Sequence, residues 1–581
     1  MNTTTRHILL RSGTTVGFAT VMAMGCTTVE PPGVSDDVDS SSTDDTGGTS
    51  DTAGDTGSTS DTGSTSDTDS TSDTDSTSDT DSTSDTGDTD STSDTDTGET
   101  GDTGDPDVDP ELILGAPGRI LLRGMVVTPA ETFAGEVLVV DDLITCVAVD
   151  CAGEPEADVA SIVDTHGVIM PGMIDTHNHV QFAIFDEDDW TPAMVYSNHN
   201  QWPNEPAYQE MLDAKQYLNG EGGSPINLNC EMNKYGELKA LVAGTTAVTG
   251  AANPSNKKCY RTLARTIDQS ANGLCGTVPP QSCPDAIQNH TIFPGTAAAD
   301  GVCANFEDGS TDAYLVHVGE GVDDVALSEL DDLYTAPTID GCLFDPRTAV
   351  VHGTAFGEME FDLMAANGMG LVWSPRSNVF LYGGQDDLTK TTNIPLALAK
   401  GINVSLAPDW SLGGSQNLLD ELRFANEVDD GVWGDLLTPQ DLVEMVTINA
   451  ARNLGLDDRL GTLEVGKKAD ITVISGDTDA PYDAILAATP VEVGLVLVDG
   501  RALYGAVGLV ELGAPMPGCE ELDMVGKAKF SCVAVEGGAV DDKFGQTYAT
   551  IVDVLGIALQ NYDREFMTDF WPLAPLYDGD E

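Results

Sequence analysis

The chain has 581 residues and a formal charge of −72, from 97 acidic and 25 basic side chains. It is longer than an ordinary single domain, and its charge argues against nucleic acid as a partner, because phosphate binding requires basic surfaces. Residues 35–110 carry 24 of the acids and no Lys or Arg, which leaves −48 on the remainder. The folded part is therefore expected to be acidic as well.

The first 25 residues have the features of a lipoprotein signal peptide. Two arginines precede an uncharged stretch over residues 14–24, and small residues then lead to Cys26, as in a bacterial lipobox, although Ala23 stands where Leu is more usual. We predict an exported protein, lipid-anchored through Cys26 to the cell envelope, at the outer membrane or the cell surface. The anchor is the only membrane contact expected, because no other run reaches the roughly 18 apolar residues of a spanning helix.

Residues 26–110 form an acidic segment rich in Ser, Thr and Asp. The hexad Ser-Thr-Ser-Asp-Thr-Asp is repeated around residues 64 to 86. Such a segment has little apolar surface to bury and cannot offset the entropy of ordering its backbone. It is predicted to be a disordered linker between the anchor and a folded body that begins near Glu111.

Ten cysteines remain when Cys26 is set aside, and an even number favours disulfide bonds in an exported chain. Three close pairs are candidate bridges, although spacing does not fix connectivity: Cys146/Cys151, Cys275/Cys283 and Cys519/Cys532. A zinc cluster is the competing interpretation. The sequence contains no Cys-x-x-Cys, which argues against it.

Two groups of short β-branched segments flank the middle of the chain. Residues 118–149 form the first group, and residues 461–475 and 493–504 form the second. Their valine- and isoleucine-rich runs, separated by glycine, predict strands. We predict one composite β-sandwich, built from residues 111–170 and 456–510. Residues 511–581 form a C-terminal extension that could cover the sandwich, mediate homo-oligomerisation or bind a partner.

Between the two β-rich groups, strands alternate with helices, which is typical of a parallel sheet. A helix is predicted over residues 231–243 and a strand over 244–249. Four further apolar strands each end in a polar group: residues 313–321, 348–353, 369–375 and 402–409. The fold class is therefore α/β, a TIM-type (β/α)8 barrel over residues 171–455 with reactive groups at the carboxyl ends of strands. Strands three and four must lie within residues 251–312, where the sequence does not locate them.

Five side chains of metal-binding type fall at these predicted strand ends: His177, His179, His317, His352 and Asp409. His177 and His179 stand two residues apart after an apolar strand, so they would project to the same face. Alone, such a pair would be better interpreted as two surface histidines. Since the other three residues also stand at strand ends, the pattern predicts one metal centre.

These segments resemble the amidohydrolase superfamily, and within it the branch of cytosine deaminases, guanine deaminases and chlorohydrolases. The resemblance runs from about Gly118 to Tyr504 and is carried by these motifs: Pro171–His179, His317-Val-Gly-Glu320, Val351-His-Gly353, Ser374-Pro-Arg-Ser-Asn378, Ala407-Pro-Asp409, Thr447–Gly455 and Gly461–Asp470. It implies a TIM-type barrel beside a β-sandwich. It also implies one divalent metal ion, with Glu320 and His352 beside it and the following ligands: His177, His179, His317 and Asp409.

Three imidazoles and a carboxylate suit Zn²⁺, with Fe²⁺ as the alternative, and leave a position for a water whose pKa the metal lowers. Asp409 would accept a proton from that water, and Glu320 would pass a proton to the departing or ring nitrogen. His352 would polarise the bond under attack. For Glu320, a solvated loop acid is the alternative. The resemblance also implies a single metal ion: two-metal members of the superfamily usually carry a bridging lysine on strand four, and no lysine stands in a predicted strand between residues 251 and 312.

The candidates for substrate contact are less specific. His199 and Trp202 lie in the long loop after the His-x-His strand, where they would contact a planar heterocycle or simply pack the loop. Arg376 would pair with an anionic substrate or with the acidic protein surface.

The predicted function is hydrolysis of a C–N bond, other than a peptide bond, in a small nitrogen heterocycle. Deamination by a metal-activated water, with release of ammonia, is the preferred reaction and corresponds to hydrolases of the EC 3.5.4 type. Ring opening of a cyclic amide is the first alternative. A catalytically inactive binding lipoprotein on the cell surface is the second.

Overall fold

The structure, a computed structural model, describes residues 109–250, 263–268, 274, 286–290, 293–513, 519–534 and 545–579. The predicted signal peptide, nearly all of the predicted linker and the Cys275/Cys283 pair lie outside these residues. Within the described ranges, none of the helices combines the length and the apolar character of a bilayer-spanning segment.

The β-strands of the described residues are, in chain order, β1 Glu111–Ile113, β2 Ala116–Val127, β3 Thr132–Val140, β4 Leu143–Ala148, β5 Ala160–Pro171, β6 Met173–Asp175, β7 Thr245–Val248, β8 Arg265–Thr266, β9 Ile287–His290, β10 Ala313–Val318, β11 Thr348–His352, β12 Gly370–Trp373, β13 Val404–Leu406, β14 Ile471–Ile474, β15 Val493–Val498, β16 Arg501–Ala506, β17 Glu520–Met524 and β18 Lys527–Ser531. The α-helices are α1 Pro206–Asn219, α2 Asn229–Val242, α3 Thr296–Asp308, α4 Asp324–Thr335, α5 Glu358–Asn367, α6 Pro375–Tyr382, α7 Ile394–Ala399, α8 Leu418–Val428, α9 Pro439–Met445, α10 Ile448–Asn453, α11 Pro481–Ala487 and α12 Tyr548–Phe566.

One largely antiparallel sheet contains strands from both β-rich groups of the sequence. Its order is β17-β18-β16-β15-β14-β5-β2-β3-β4, with β1 paired to β5. The two groups meet where β14 lies antiparallel to β5, with Ile471 opposite Pro171. The strands thus form one ten-stranded sheet, where a sandwich of two sheets was predicted. Val137 and Leu495, from its two halves, share one hydrophobic cluster, so the single sheet encloses a core as two stacked sheets would.

The C-terminal extension adds to this sheet. β18 pairs with β16, placing Ser531 opposite Tyr504, so the sheet continues beyond residue 510. Helix α12 then packs against α1, with the Tyr562 ring 5.2 Å from that of Tyr217. The described residues of the extension thus add two strands to the sheet and contact helix α1, and the three roles left open for residues 511–581 stay predictions.

Three disulfides join cysteines that are both among the described residues: Cys146–Cys151, Cys303–Cys342 and Cys519–Cys532. The first and the third confirm predicted pairs. The second ties α3 to the segment after α4 across 39 residues, a separation at which sequence spacing offers no guide.

The middle of the chain forms two parallel sheets, one of three strands (β6-β7-β8) and one of five (β9-β10-β11-β12-β13). Asn178 forms an isolated parallel bridge with Asp409, and the His179 N–H donates to the Asp409 carbonyl at 2.7 Å. The end of β6 therefore meets the end of β13. β8 and β9 lie in the span where the sequence required two strands without locating them.

Strand β10 shows how this arrangement positions a functional side chain. All six of its residues are buried, as expected for a parallel strand covered on both faces. Leu315 packs in the cluster that includes Ile174 of β6 and Val351 of β11, whereas Val316 packs in the larger cluster on the helical side. Because side chains alternate along a strand, His317 projects on the same side as Leu315, at the carboxyl end.

Arg265 links the parallel strands to the ten-stranded sheet. Its guanidinium donates two hydrogen bonds to Asp470, at 2.7 and 2.8 Å, and two to Asp499, at 2.6 and 2.9 Å. Arg265 is only 4% exposed. Its removal would leave a buried carboxylate without its counter-charge, and breaking such a pair costs about 3–5 kcal/mol. We expect Arg265→Ala to lower the free energy of unfolding in urea by roughly this amount.

Arg119 offers a matched control for that substitution. It pairs with Asp141 and Glu156, each at 3.0 Å, on the protein surface. Exposed pairs contribute little, because water screens them, so Arg119→Ala should leave the urea midpoint nearly unchanged. Equal shifts in the two variants would contradict a special role for the buried pair.

Candidate metal centre

Three histidines and one aspartate converge at the carboxyl ends of the parallel strands. His177 and His179 follow β6, His317 lies in β10, and Asp409 follows β13. One ligand atom from each lies within 4.8 Å of those from the other three. Nε2 of His177 is 2.9 Å from Oδ1 of Asp409, and Nε2 of His179 is 3.3 Å from the same oxygen. The structure thus brings together all four predicted metal ligands.

The chemistry of this donor set fits a divalent cation. Burial lowers the pKa of His177 to about 4 and holds the pKa of His317 well below its usual range. Both imidazoles are therefore neutral at pH 7 and have a lone pair to offer. Burial acts to raise the pKa of Asp409, but hydrogen bonds with His177 and His179 outweigh it and hold that pKa well below its usual range. Neutral imidazoles with an ionised carboxylate are the ligands that Zn²⁺ prefers.

Asp409 is held in an unusual backbone conformation. Its φ is 69°, in the left-handed region, which costs a non-glycine residue on the order of 1–3 kcal/mol. The Ser377 hydroxyl donates to its Oδ2 at 2.5 Å, so Oδ1 alone faces the histidines. Backbone strain of this kind is concentrated at functional sites.

Glu320 and His352 form a second group beside His317, with ligand atoms again within 4.8 Å of one another. In a regular strand His352 would point outward, because Val351 before it packs in the cluster shared by the strands. The φ of 73° at His352 breaks that alternation and turns the side chain inward, to 4.9 Å from the His317 ring between centroids. Asn378 Nδ2 lies 3.3 Å from the other side of the His352 ring, at Nδ1.

Both carboxylate oxygens of Glu320 are engaged. The Tyr382 hydroxyl donates to Oε1 at 2.8 Å, and Nδ1 of His199 lies 3.2 Å from Oε2. Burial acts to raise the pKa of Glu320, but the neighbouring His352 and His199 outweigh it, so that the pKa is lowered and the carboxylate is ionised at pH 7. Glu320 is only 4% exposed, which is incompatible with a solvated loop acid.

The predicted substrate contacts lie in different surroundings. Trp202 belongs to an aromatic cluster near the centre, with its ring 5.2 Å from that of Trp410, which is 6.3 Å from that of His179. His199 is engaged at both ring nitrogens, because its Nε2 lies 2.7 Å from Oε1 of Glu329. It therefore binds protein carboxylates, where a substrate contact was predicted.

Arg376 lies on the side of α6 that faces α8. Its guanidinium sits 5.0 Å from the Phe424 ring centroid. With Glu187 and Phe380 it lines a cavity of about 130 Å³ whose lining includes none of the metal-centre residues. The prediction that Arg376 contacts the substrate gains no support from this position.

Sequence reasoning missed four side chains that hold the centre in place: Ser377, Asn378, Tyr382 and Glu329. Ser377 and Asn378 stand in the Ser374–Asn378 motif, and their presence there was the available signal. Tyr382 follows Asn378 by four residues, one helical turn further along α6.

Comparison with known proteins finds an amidohydrolase family match and several similar hydrolases. Residues 168–503 match the amidohydrolase family. The 5-methylthioadenosine/S-adenosylhomocysteine deaminase of Desulforudis audaxviator is 24% identical over 416 residues, covering 66% of this chain and 93% of the relative. The enzyme of the same name from Haloarcula marismortui is 27% identical over 397 residues, covering 62% and 85%. The S-triazine hydrolase of Gordonia rubripertincta is 27% identical over 248 residues, covering 41% and 48%.

A solved structure shares the fold. A mutant of atrazine chlorohydrolase from Arthrobacter aurescens, complexed with zinc and atraton, superimposes with a TM-score of 0.50 at 18% identity, covering 66% of this chain and 95% of the other. The family match spans more than half of the chain and contains the converging histidines, Asp409 and Glu320. This chain belongs to the amidohydrolase family.

Proposed function

We propose that this protein is a metal-dependent deaminase that hydrolyses a C–N bond of a small nitrogen heterocycle and releases ammonia. One observation carries the proposal: the four-residue ligand set and the buried group of Glu320 and His352 share His317 and lie side by side. A metal site with an ionised carboxylate next to it is what hydrolytic deamination requires. The relatives named as 5-methylthioadenosine/S-adenosylhomocysteine deaminases support the same class of reaction.

In this proposal His177, His179, His317 and Asp409 would hold one divalent cation, Zn²⁺ with Fe²⁺ as the alternative, which would supply Lewis-acid activation of a water molecule. The carboxylate of Asp409, which faces the histidines, accepts a proton from the attacking water. Glu320, ionised at rest, takes the other proton of the water and delivers it to the departing nitrogen, while the proton on Asp409 passes to the ring nitrogen, so that ammonia leaves and both carboxylates are ionised again. Nε2 of His352 lies 3.8 Å from Oε2 of Glu320, close enough to polarise the same reacting bond.

Ammonia release is the direct test. The metal-loaded protein is incubated with a panel of purines, pyrimidines and triazines, and ammonia and metal content are both measured. We expect ammonia from at least one heterocycle and one metal equivalent per chain. Acid formation without ammonia would identify cyclic-amide ring opening instead. A metal-loaded protein that is inert toward heterocycles and cyclic amides would favour the catalytically inactive binding lipoprotein, and two metal equivalents would overturn the single-ion site.

We also propose the organisation of the whole chain. A signal peptide (residues 1–25) precedes an acidic linker (26–110), and a (β/α)8 barrel (171–455), closed between β8 and β9, carries the metal centre. The β-domain joins residues 111–170 to the chain after residue 455. The lipobox-like sequence and the acidic repeats support an enzyme tethered to the cell envelope.

The lipid anchor makes a simple prediction. Cys26→Ser removes the thiol that would carry the lipid, so we expect the protein to move from the membrane fraction to the soluble fraction. Fractionation of cells, followed by detection of the protein in each fraction, measures this. Cys519→Ser, which alters a disulfide cysteine of the folded body, is the control and should leave the distribution unchanged. If Cys26→Ser stays in the membrane fraction, Cys26 does not carry a lipid anchor.

A further inference from the structure

A loop spanning residues 190–205, here called the lid segment, crosses the carboxyl ends of the parallel strands. Trp202 in this segment packs against Trp410, which follows β13. Asn198 forms an isolated antiparallel bridge with Gly321, which follows β10. The segment therefore reaches from the end of β13 to the end of β10, above the metal centre. Of the ligands beneath it, His179 keeps the largest exposed fraction, 27% of its side chain.

Main-chain hydrogen bonds attach the lid segment on both sides of the bridge. The Tyr196 N–H donates to the Leu381 carbonyl in α6 at 3.0 Å. The Val322 N–H donates to the Ser197 carbonyl at 2.8 Å, and the His199 N–H donates to the Glu320 carbonyl at 3.2 Å. The lid segment is thus fixed to the very residue that carries the second carboxylate of the site.

The side chain of His199 adds a second attachment to the same residue. Its Nδ1 lies 3.2 Å from Oε2 of Glu320, and its Nε2 lies 2.7 Å from Oε1 of Glu329 in α4. The other oxygen of Glu329 accepts from the Gly319 N–H at 2.7 Å, one residue before Glu320. His199 therefore bridges two buried carboxylates, and the outer one is itself anchored to the loop that carries the inner one.

This bridge decides how the Glu320 carboxylate is oriented. Tyr382 holds Oε1, so His199 is the partner that holds Oε2, the oxygen nearest His352. Burial works against a charge on His199, but its hydrogen bonds to Glu320 and Glu329 outweigh burial and raise its pKa to about 10. At pH 7 the ring is a cation that donates from both nitrogens. With Tyr382 on Oε1 and His199 on Oε2, both oxygens of Glu320 are held, which restricts rotation of its carboxylate.

We propose that His199 is a positioning residue that couples closure of the lid segment to the orientation of Glu320. The inference rests on the proposed role of Glu320 in proton transfer. When the lid segment lifts to admit a substrate, His199 leaves with it, and Oε2 loses its donor. When the segment closes, the same movement covers the site and restores the orientation of the Glu320 carboxylate. Glu320 can therefore transfer a proton only when the site is covered. Coupling of closure to assembly of the catalytic groups is an established way to exclude water.

The test is a double-mutant cycle of His199→Asn with Glu320→Gln, read as kcat and KM for ammonia release. In the wild-type background we expect His199→Asn to lower kcat by about 10–100-fold, because misplacing a catalytic group by about 1 Å can cost that much. In the Glu320→Gln background the same change should lower kcat by less than about 3-fold, since there is no longer a proton-transferring carboxylate to position. His166→Asn, the same substitution in β5, is the matched control and should leave kcat unchanged.

A second measurement does not depend on turnover. Hydrogen–deuterium exchange of peptides that contain Tyr196 and His199 should be faster in His199→Asn than in the wild type, whereas the metal content should stay the same. Glu329→Gln weakens the bridge from its other end and should change exchange and kcat in the same direction by a smaller factor. It also serves as the test if His199→Asn fails to fold.

The outcomes separate the two proposals. Equal kcat factors in the two backgrounds, or unchanged exchange in His199→Asn, overturn the role of His199. Failure of the wild-type protein to release ammonia overturns the proposed function instead, because the exchange measurement reports the attachment of the lid segment without any substrate.

Discussion

Asp409→Asn is expected to abolish both metal binding and turnover. The substitution nearly preserves the shape of the side chain but removes the only negative charge of the ligand set. Nε2 of His177 and of His179 both face Oδ1 of Asp409, so three imidazoles and an amide would remain. Loss of a group that merely supports a ligand costs about 10–100-fold in metal affinity. Loss of a charged ligand should cost more, with kcat falling below detection at ordinary metal concentrations.

The backbone makes Asn the informative replacement at this position. Asp409 has a φ of 69°, and Asn is one of the few residues that adopt the left-handed region readily. The fold should therefore survive, and loss of metal will report the lost charge rather than a local rearrangement. Metal content after dialysis, from elemental analysis, and the melting temperature together check this expectation.

A matched substitution is available at another buried aspartate. Asp429 is 0% exposed and accepts hydrogen bonds from the N–H groups of Leu436 and Leu437, at the far end of α8. Asp429→Asn should leave one metal equivalent per folded chain. Retention of tightly bound metal and of activity in Asp409→Asn would mean that this carboxylate is not a ligand.

The sequence predicted that the metal ligands would lie close together, because each of them stands at the end of a predicted parallel strand. His317 and Asp409 each stand where an apolar run stops, and the carboxyl ends of parallel strands lie at one edge of their sheet. No contact between them had to be known in advance. His352 was assigned to the site on the same argument, although regular alternation would have turned it outward, and only its left-handed φ of 73° explains its place.

The supporting groups could not be predicted in this way, because they come from helices and loops. Adjacent residues in a helix point about 100° apart, so the Ser374–Asn378 motif alone does not say which side faces the centre. Arg376 attracted attention by its charge and lies against Phe424, whereas the uncharged Ser377 beside it bonds Asp409. Glu329 and His199 stand 130 residues apart in the chain and meet only because the lid segment returns across the strands.

In the β-domain, the observed strand pairing differs from the predicted sandwich. The valine- and isoleucine-rich runs on both sides of the parallel strands predicted that the two chain segments would associate, but such runs do not show which strands share hydrogen bonds. The link between the halves is made by β14 against β5, with Ile471 opposite Pro171. β17 and β18 were not anticipated, because charged residues interrupt the apolar pattern of both strands, of which β17 lies at the edge of the sheet.

Glu320→Gln is expected to lower kcat by about 10²–10⁴-fold, the usual contribution of a positioned acid or base, while the metal content stays at one equivalent. The amide keeps an oxygen for one of the two donors, Tyr382 and His199, so the site should remain assembled. It cannot accept a proton at pH 7, and delivery of a proton to the departing nitrogen is lost. KM should change far less than kcat, because the lost interaction belongs to the transition state.

Glu237→Gln is the matched control for this change. Burial raises the pKa of Glu237 to about 8, so that carboxyl is largely protonated at pH 7 and an amide replaces a neutral group. We expect no change in kcat. Near-normal turnover in Glu320→Gln would mean that Glu320 does not transfer protons and that Asp409 alone does so. If Asp409→Asn loses the metal and Glu320→Gln keeps it, then Asp409 belongs to the group that holds the ion and Glu320 to the group that moves the proton. The proposed deamination depends on this division of roles.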